Sequence, residues 1–148
     1  MTRVVAVDTE DVRIAVSRER VRRVAEHVLR AERVRDALVS ITFVTNRRIA
    51  ALNARHLGHR GPTDVISFGF APAGGSGAVV GDIYIAPEVA RRNARLHTQG
   101  GVREELLRLV VHGVLHVLGH DHPEDDARYR SPMWQRQERL LRAALTAA

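Results

Sequence analysis

A chain of 148 residues can fold as one domain, 1–148, around a core of its own. With 45% hydrophobic and 27% charged residues it is neither a disordered tail nor a collagen-like or coiled-coil repeat, and the lack of cysteine excludes disulfides, thiolate metal sites and cysteine nucleophiles. No apolar run approaches the ~18 residues that span a bilayer, and Asp8, Glu10 and Asp11 break the apolar start before a signal-peptide core forms, so a soluble, cytoplasmic protein with no membrane partner is expected.

Charge is unevenly spread. Residues 1–100 carry 16 basic and 10 acidic side chains and residues 101–148 carry 7 of each, so the whole formal +6 lies in the first part. That asymmetry suggests a polyanionic partner. All 23 basic residues are arginine, whose planar fork fits phosphate with two hydrogen bonds.

In chain order, Val4 to Val7 and the alternating Val12, Ile14 and Val16 are predicted strands. Ser17 is an N-cap for an amphipathic helix whose Val21, Val24, Ala25, Val28 and Leu29 share one face, with arginines on the others. Val39, Ile41 and Phe43 alternate as a strand, and Thr45 caps a helix carrying Ile49, Leu52 and His56 on one side. Ile66, Phe68 and Phe70 at period two, a glycine loop from Ala73 to Ala78, and Val79 to Ala86 predict an antiparallel pair. Pro87 opens a helix that Gly100 and Gly101 are expected to end. A long apolar helix from about Val102 to Leu118 and a last one from about Pro132 to Leu145 complete the chain. The expected architecture is α+β: a mixed, largely antiparallel small sheet covered by helices, with a metal site on the long helix and the turn after it.

That site is the densest signal. Four of the eight histidines lie within His112 to His122, in the string HGVLHVLGHDH. Histidines four apart on a helix leave the same face with Cβ atoms ~5–6 Å apart, so His112 and His116 can reach one ion. Gly119 can end the helix in a left-handed turn and return His122 to the same ion. Three histidines leave the fourth zinc position to water, whose pKa the ion lowers to ~7, which implies a catalytic zinc, one per chain. His120 lies between the turn and His122 and is read as a non-ligand; Asp121 either accepts a hydrogen bond from a ligand imidazole or solvates the loop. The spacing is that of metzincin proteases, HExxHxxGxxH, but Gly113 stands where they carry the glutamate base.

Beyond the histidines, TDVISF (Thr63 to Phe68), VGDIYIAPE (Val80 to Glu88), the Leu52-Asn53 pair and Met133 occur in the order found in one family. From about Ile41 to Glu138 the chain resembles the YbeY endoribonucleases, or rRNA maturation factors. The resemblance implies a zincin-like fold, one Zn(2+) held by His112, His116 and His122, and single-strand-specific RNA cleavage. It also implies a role in 16S rRNA 3′-end maturation and ribosome quality control in the cytoplasm, with the small ribosomal subunit and ribosome-associated proteins as partners. Met133 would lie beneath the site, or is one more core residue of the last helix. Leu57 stands where the family commonly has an arginine, so Arg55 and Arg60 become the candidate catalytic cations, and Arg47, Arg48, Arg55, His59 and Arg60 the candidate RNA-binding residues. Two other readings stay open: a non-catalytic RNA-binding assembly factor with a structural zinc, which Leu57 favours, and a zinc hydrolase of peptides or small amides, which Gly113 opposes.

Overall fold

The computed structural model describes residues 2–70, 77–97 and 101–147. Its elements run β1 (Arg3–Thr9), α1 (Arg18–Ala31), β2 (Ala37–Phe43), α2 (Asn46–Leu57), β3 (Val65–Phe70), β4 (Val79–Ile85), α3 (Pro87–His97), α4 (Gly101–Val117), a short 3-10 helix (Asp126–Arg130) and α5 (Pro132–Thr146). The expected helix starts are capped as their sequences suggest: Ser17 Oγ accepts from Arg20 N at 3.0 Å and Thr45 Oγ1 from Arg48 N at 3.1 Å. The 73–76 part of the glycine loop and Gly100 lie outside the described residues, and Gly101 is the first residue of α4.

The four strands form one mixed sheet in the order β1-β2-β4-β3. Its balance corrects the largely antiparallel expectation: β1–β2 and β2–β4 are parallel, and only β3–β4 is antiparallel. The reason is the connections. Parallel neighbours need a crossover, which α1 supplies between β1 and β2, whereas β3 and β4 are close enough in sequence to pair as neighbours. The predicted strand at Val12–Val16 is also absent. These residues keep the alternating burial of a strand and their valines and isoleucine pack on the core, but they pair with no strand. The chain leaves the ladder after Glu10 N bonds to Phe43 O at 2.8 Å, and Asp11 takes a left-handed φ of 55°.

The two sheet faces differ. Val39, Ile41, Phe43, Ile83 and Ile85 join α1, α4 and α5 in the main core, and Met133 is buried there. Ile66 packs with Val44, Ile49, Leu52 and Ala86 in a smaller core on the α2 side, flanked by Phe68 and Tyr84. α4 is apolar on most of its circumference because α1, α3, α5, β3 and β4 all contact it. Among the described residues no helix is long and apolar enough to cross a membrane.

Candidate metal centre

Two structural devices assemble the histidines. The regular turn of α4 stacks His112 and His116, whose ring centroids are 4.6 Å apart. The helix then stops at Gly119, with φ +99°: Gly119 N bonds to His116 O and His120 N to Leu115 O, each at 3.0 Å. That paired closure around a left-handed residue is a Schellman turn. It sends the chain back so that the His122 ring lies 5.1 Å from His112 and 4.9 Å from His116. Ligand nitrogens of all three lie within 4.8 Å of one another, a group that could hold a metal ion.

The hydrogen bonds orient the rings for that purpose. His112 Nδ1 meets Gln137 Oε1 at 2.6 Å, His116 Nδ1 meets the His120 carbonyl at 3.0 Å, and His122 Nδ1 meets the Pro123 carbonyl at 2.7 Å. Carbonyl oxygens only accept, so each Nδ1 carries the hydrogen and each Nε2 is left with its lone pair. This is the outer-shell arrangement that fixes the tautomer of metal-binding histidines, and the trio fits a nitrogen-ligated divalent ion. Burial, partly countered by the Gln137 hydrogen bond, pushes the His112 pKa down to about 4, and burial together with His122 lowers that of His116. Both rings are therefore neutral near pH 7, the form that coordinates metal.

Neighbouring residues take parts that the sequence left open. His120 turns its ring away to Glu32 Oε1 at 2.6 Å, while Glu32 Oε2 accepts from Arg136 Nη2 at 2.8 Å. Asp121 accepts from the backbone N–H of His122 at 2.8 Å rather than from an imidazole. Sequence reading missed Gln137, which is fully buried. A signal was present: it falls on the stripe of α5 that otherwise reads Met133, Leu140, Leu141 and Ala144, and a polar side chain on a buried stripe needs a partner.

Gly113 faces the sheet. A Cβ built there would lie 2.7 Å from Ile83 Cγ2 and 3.2 Å from Ser67 Oγ. The helix rests too closely on β3 and β4 for any side chain, so the glutamate of the protease pattern has no room.

The candidate cations lie apart from this wall. Arg47 and Arg48 occupy the first turn of α2, Arg55 its last, and His59 and Arg60 the following loop, all exposed; Arg48 pairs with Glu10 at 3.7 Å. α2 is on the sheet face opposite α4: Phe68 of edge strand β3 meets His56 with ring centroids 5.3 Å apart, while the next residue, Gly69, lies against Val117 of α4.

Residues 6–144 match the family described as Endoribonuclease YbeY. The chain belongs to the YbeY endoribonuclease family. It is 30% identical to the Endoribonuclease YbeY of Syntrophus aciditrophicus over 146 residues, covering 95% of this chain and 89% of the relative. The corresponding figures are 34% identity with 84% of both chains for Chloroherpeton thalassium, and 36% with 96% and 79% for Frankia alni. The solution structure of a Thermotoga maritima protein, TM1509, shares the fold with a TM-score of 0.61 at 24% identity, covering 95% of this chain and 89% of that one. YbeY membership supports RNA cleavage and hence an RNA substrate.

Proposed function

We propose that this YbeY-family chain is a zinc-dependent, single-strand-specific endoribonuclease, a single-domain cytoplasmic enzyme acting with the small ribosomal subunit in 16S rRNA 3′-end maturation and ribosome quality control. The observation that supports it is the convergence of three imidazoles, each with a ring nitrogen within 4.8 Å of the others', whose Nδ1 atoms all meet carbonyl oxygens. His112, His116 and His122 would hold one ion. When bound, zinc there supplies Lewis-acid polarisation of a phosphoryl oxygen and a water activated near neutral pH. The chain's own part is to fix the three rings and to keep those of His112 and His116 neutral. Arg55 and Arg60 lie on the α2 side of the sheet, across from α4, so with Arg47, Arg48 and His59 they are assigned to phosphates of the strand away from the cut rather than to charge at phosphorus.

The test is cleavage of a single-stranded RNA oligomer by purified protein, after chelation and after zinc is restored. Cleavage that disappears with the metal, returns with zinc and is lost in His116→Ala is the expected result. Unchanged cutting after chelation removes the metal from the reaction. A second reading, an RNA-binding assembly factor with a structural zinc, is favoured by Leu57: its side chain is 49% exposed, so nothing in the packing demands leucine at a position where the family commonly has arginine. RNA bound with a steep salt dependence but left uncut by the zinc-loaded protein selects it.

A further inference from the structure

A cleft of about 770 Å³ opens beside His112, between β3, α4, the 3-10 helix and α5. His112 of the histidine trio is one of its lining residues. Its lining includes Tyr129 and Trp134, packed edge to face with ring centroids 4.9 Å apart. Tyr129 is 53% exposed, and the Arg128 guanidinium lies over its ring, 5.8 Å from the centroid.

The cleft's polarity is opposite to that of the chain. Five carboxyl groups line it against two guanidinium groups, and both guanidiniums are already engaged. Arg108 forms a two-bond fork with Glu138 at 2.9 and 3.0 Å and a third bond to Glu105 at 2.9 Å. Arg128 donates to the Glu124 and Asp125 carbonyls at 2.7 and 3.4 Å. Asn93 donates through Nδ2 to Asp64 at 3.3 Å, which leaves Oδ1 as its acceptor atom. Among the described residues the carboxylates outnumber the guanidiniums, so a phosphate would meet mostly like charge here, with Arg128, bonded to neutral carbonyls, the cation that keeps its charge. The surface instead offers aromatic faces and hydrogen-bond acceptors.

We infer that this cleft is a nucleobase subsite: it takes the base next to the scissile phosphate, stacked against Tyr129 and Trp134, and favours bases with an exocyclic amino group (cytosine, adenine and guanine) over uracil, which has none. The inference rests on the nuclease reading above and extends it from RNA in general to a particular neighbour of the cut. Single-stranded RNA can swing a base out of line, and stacking on aromatic side chains is the usual way proteins hold it. The amino group matters because carboxylates are the most numerous polar groups of the lining: it offers them two N–H donors, where uracil has a carbonyl oxygen at the corresponding position and only its N3–H to donate.

Trp134 is the chain's only tryptophan, so its fluorescence reports occupancy directly. The probes are cytidine, adenosine and uridine, nucleosides without phosphate, titrated into the full chain with and without zinc. Saturable quenching by cytidine and adenosine, several-fold weaker for uridine and about tenfold weaker in Tyr129→Ala, is the expected result, the last being the loss of about one stacked ring. Tyr129 is exposed, so its removal leaves the core intact, which circular dichroism checks. Absent or non-saturable quenching, equal affinity for all three nucleosides, or an unchanged Tyr129→Ala overturns the subsite. RNA cleavage by the same preparation separates the two claims: cutting without nucleoside binding sinks the subsite alone, and nucleoside binding without cutting sinks the nuclease reading and the placement beside a scissile phosphate while leaving the base-binding cleft.

Discussion

Gln137 and His112 meet across the α4–α5 interface, Oε1 to Nδ1, at 2.6 Å. Which end of the amide faces the ring is fixed by the next contact, because Gln137 Nε2 donates to Glu138 Oε2 at 2.9 Å and must therefore be the nitrogen. Arg108 grips the same carboxylate through Nε and Nη2 and reaches Glu105 through Nη1. A path of hydrogen bonds, charge-assisted as far as Gln137, thus runs from the middle of α4 through α5 and back to the ring of His112, and holds that ring in one tautomer.

Replacing Gln137 by leucine keeps the volume of the buried stripe but removes the acceptor from Nδ1. Zinc affinity is expected to fall by about 10- to 100-fold, the usual cost of deleting an outer-shell partner. Gln137→Glu restores an acceptor and part of the affinity, at a cost in stability because it sets a second carboxylate beside Glu138. Competition against a chromophoric chelator measures both. Wild-type affinity in Gln137→Leu would mean that this contact does not tune the site.

At Gly113 two effects oppose each other. Alanine gains about 1 kcal/mol of helix propensity over glycine. A Cβ placed 2.7 Å from Ile83 Cγ2 overpacks the α4–sheet contact, which typically costs about 1–3 kcal/mol. Gly113→Ala is therefore expected to be destabilised by about 1 kcal/mol in urea unfolding. Gly113→Glu, which recreates the protease pattern, must also bury a carboxylate and should lose several kcal/mol without gaining hydrolysis of a casein-type substrate.

Local chemistry was readable from the chain, and pairing across distance was not. Ser17, Thr45 and Gly119 signal their roles because caps and left-handed turns are decided within a few residues. The histidine trio is legible for the same reason, since helix pitch and one turn bring all three together. The Val12–Val16 alternation records half-burial, which an extended segment shows with or without a strand beside it. Nor does periodicity say that β2 pairs in parallel with both β1 and β4, which depends on where α1 carries the chain. Gln137 and the Glu32 bridge were hidden in the same way, their partners lying 25 and as many as 104 residues away.

Glu32 supplies a pH-dependent contribution. Burial pushes its carboxyl pKa upward, but the hydrogen bonds from Arg136 and His120 outweigh this and hold it below the ordinary 4.5. The unfolded chain therefore takes up a proton near pH 4.5 while the folded chain keeps Glu32 charged. Its contribution is complete above that pH and is lost as pH falls through the lower folded value. Glu32→Gln should cost about 1–2 kcal/mol at pH 7, the scale of hydrogen bonds to a charged group. The gap from wild type should narrow as pH is lowered below 4.5. Urea midpoints measured from pH 7 to pH 3 check this, and a gap constant with pH would show that the Glu32 charge contributes nothing.

Leu57, the last residue of α2, is followed by Gly58 in a left-handed turn with φ 69° and exposes about half of its side chain. An arginine there displaces nothing, so Leu57→Arg should leave stability within about 0.5 kcal/mol of wild type. It adds one guanidinium to a segment that already presents Arg55, His59 and Arg60 to solvent. If this segment tracks the RNA backbone, one more phosphate contact should steepen the dependence of log affinity on log salt by about 0.7 for a single strand. If the missing arginine also limits the chemistry, kcat for oligomer cleavage should rise together with affinity, whereas a steeper salt slope with kcat unchanged makes position 57 a binding contact only. An unchanged salt slope would move the RNA path away from the end of α2 and leave Arg55 and Arg60 without a role in holding the strand.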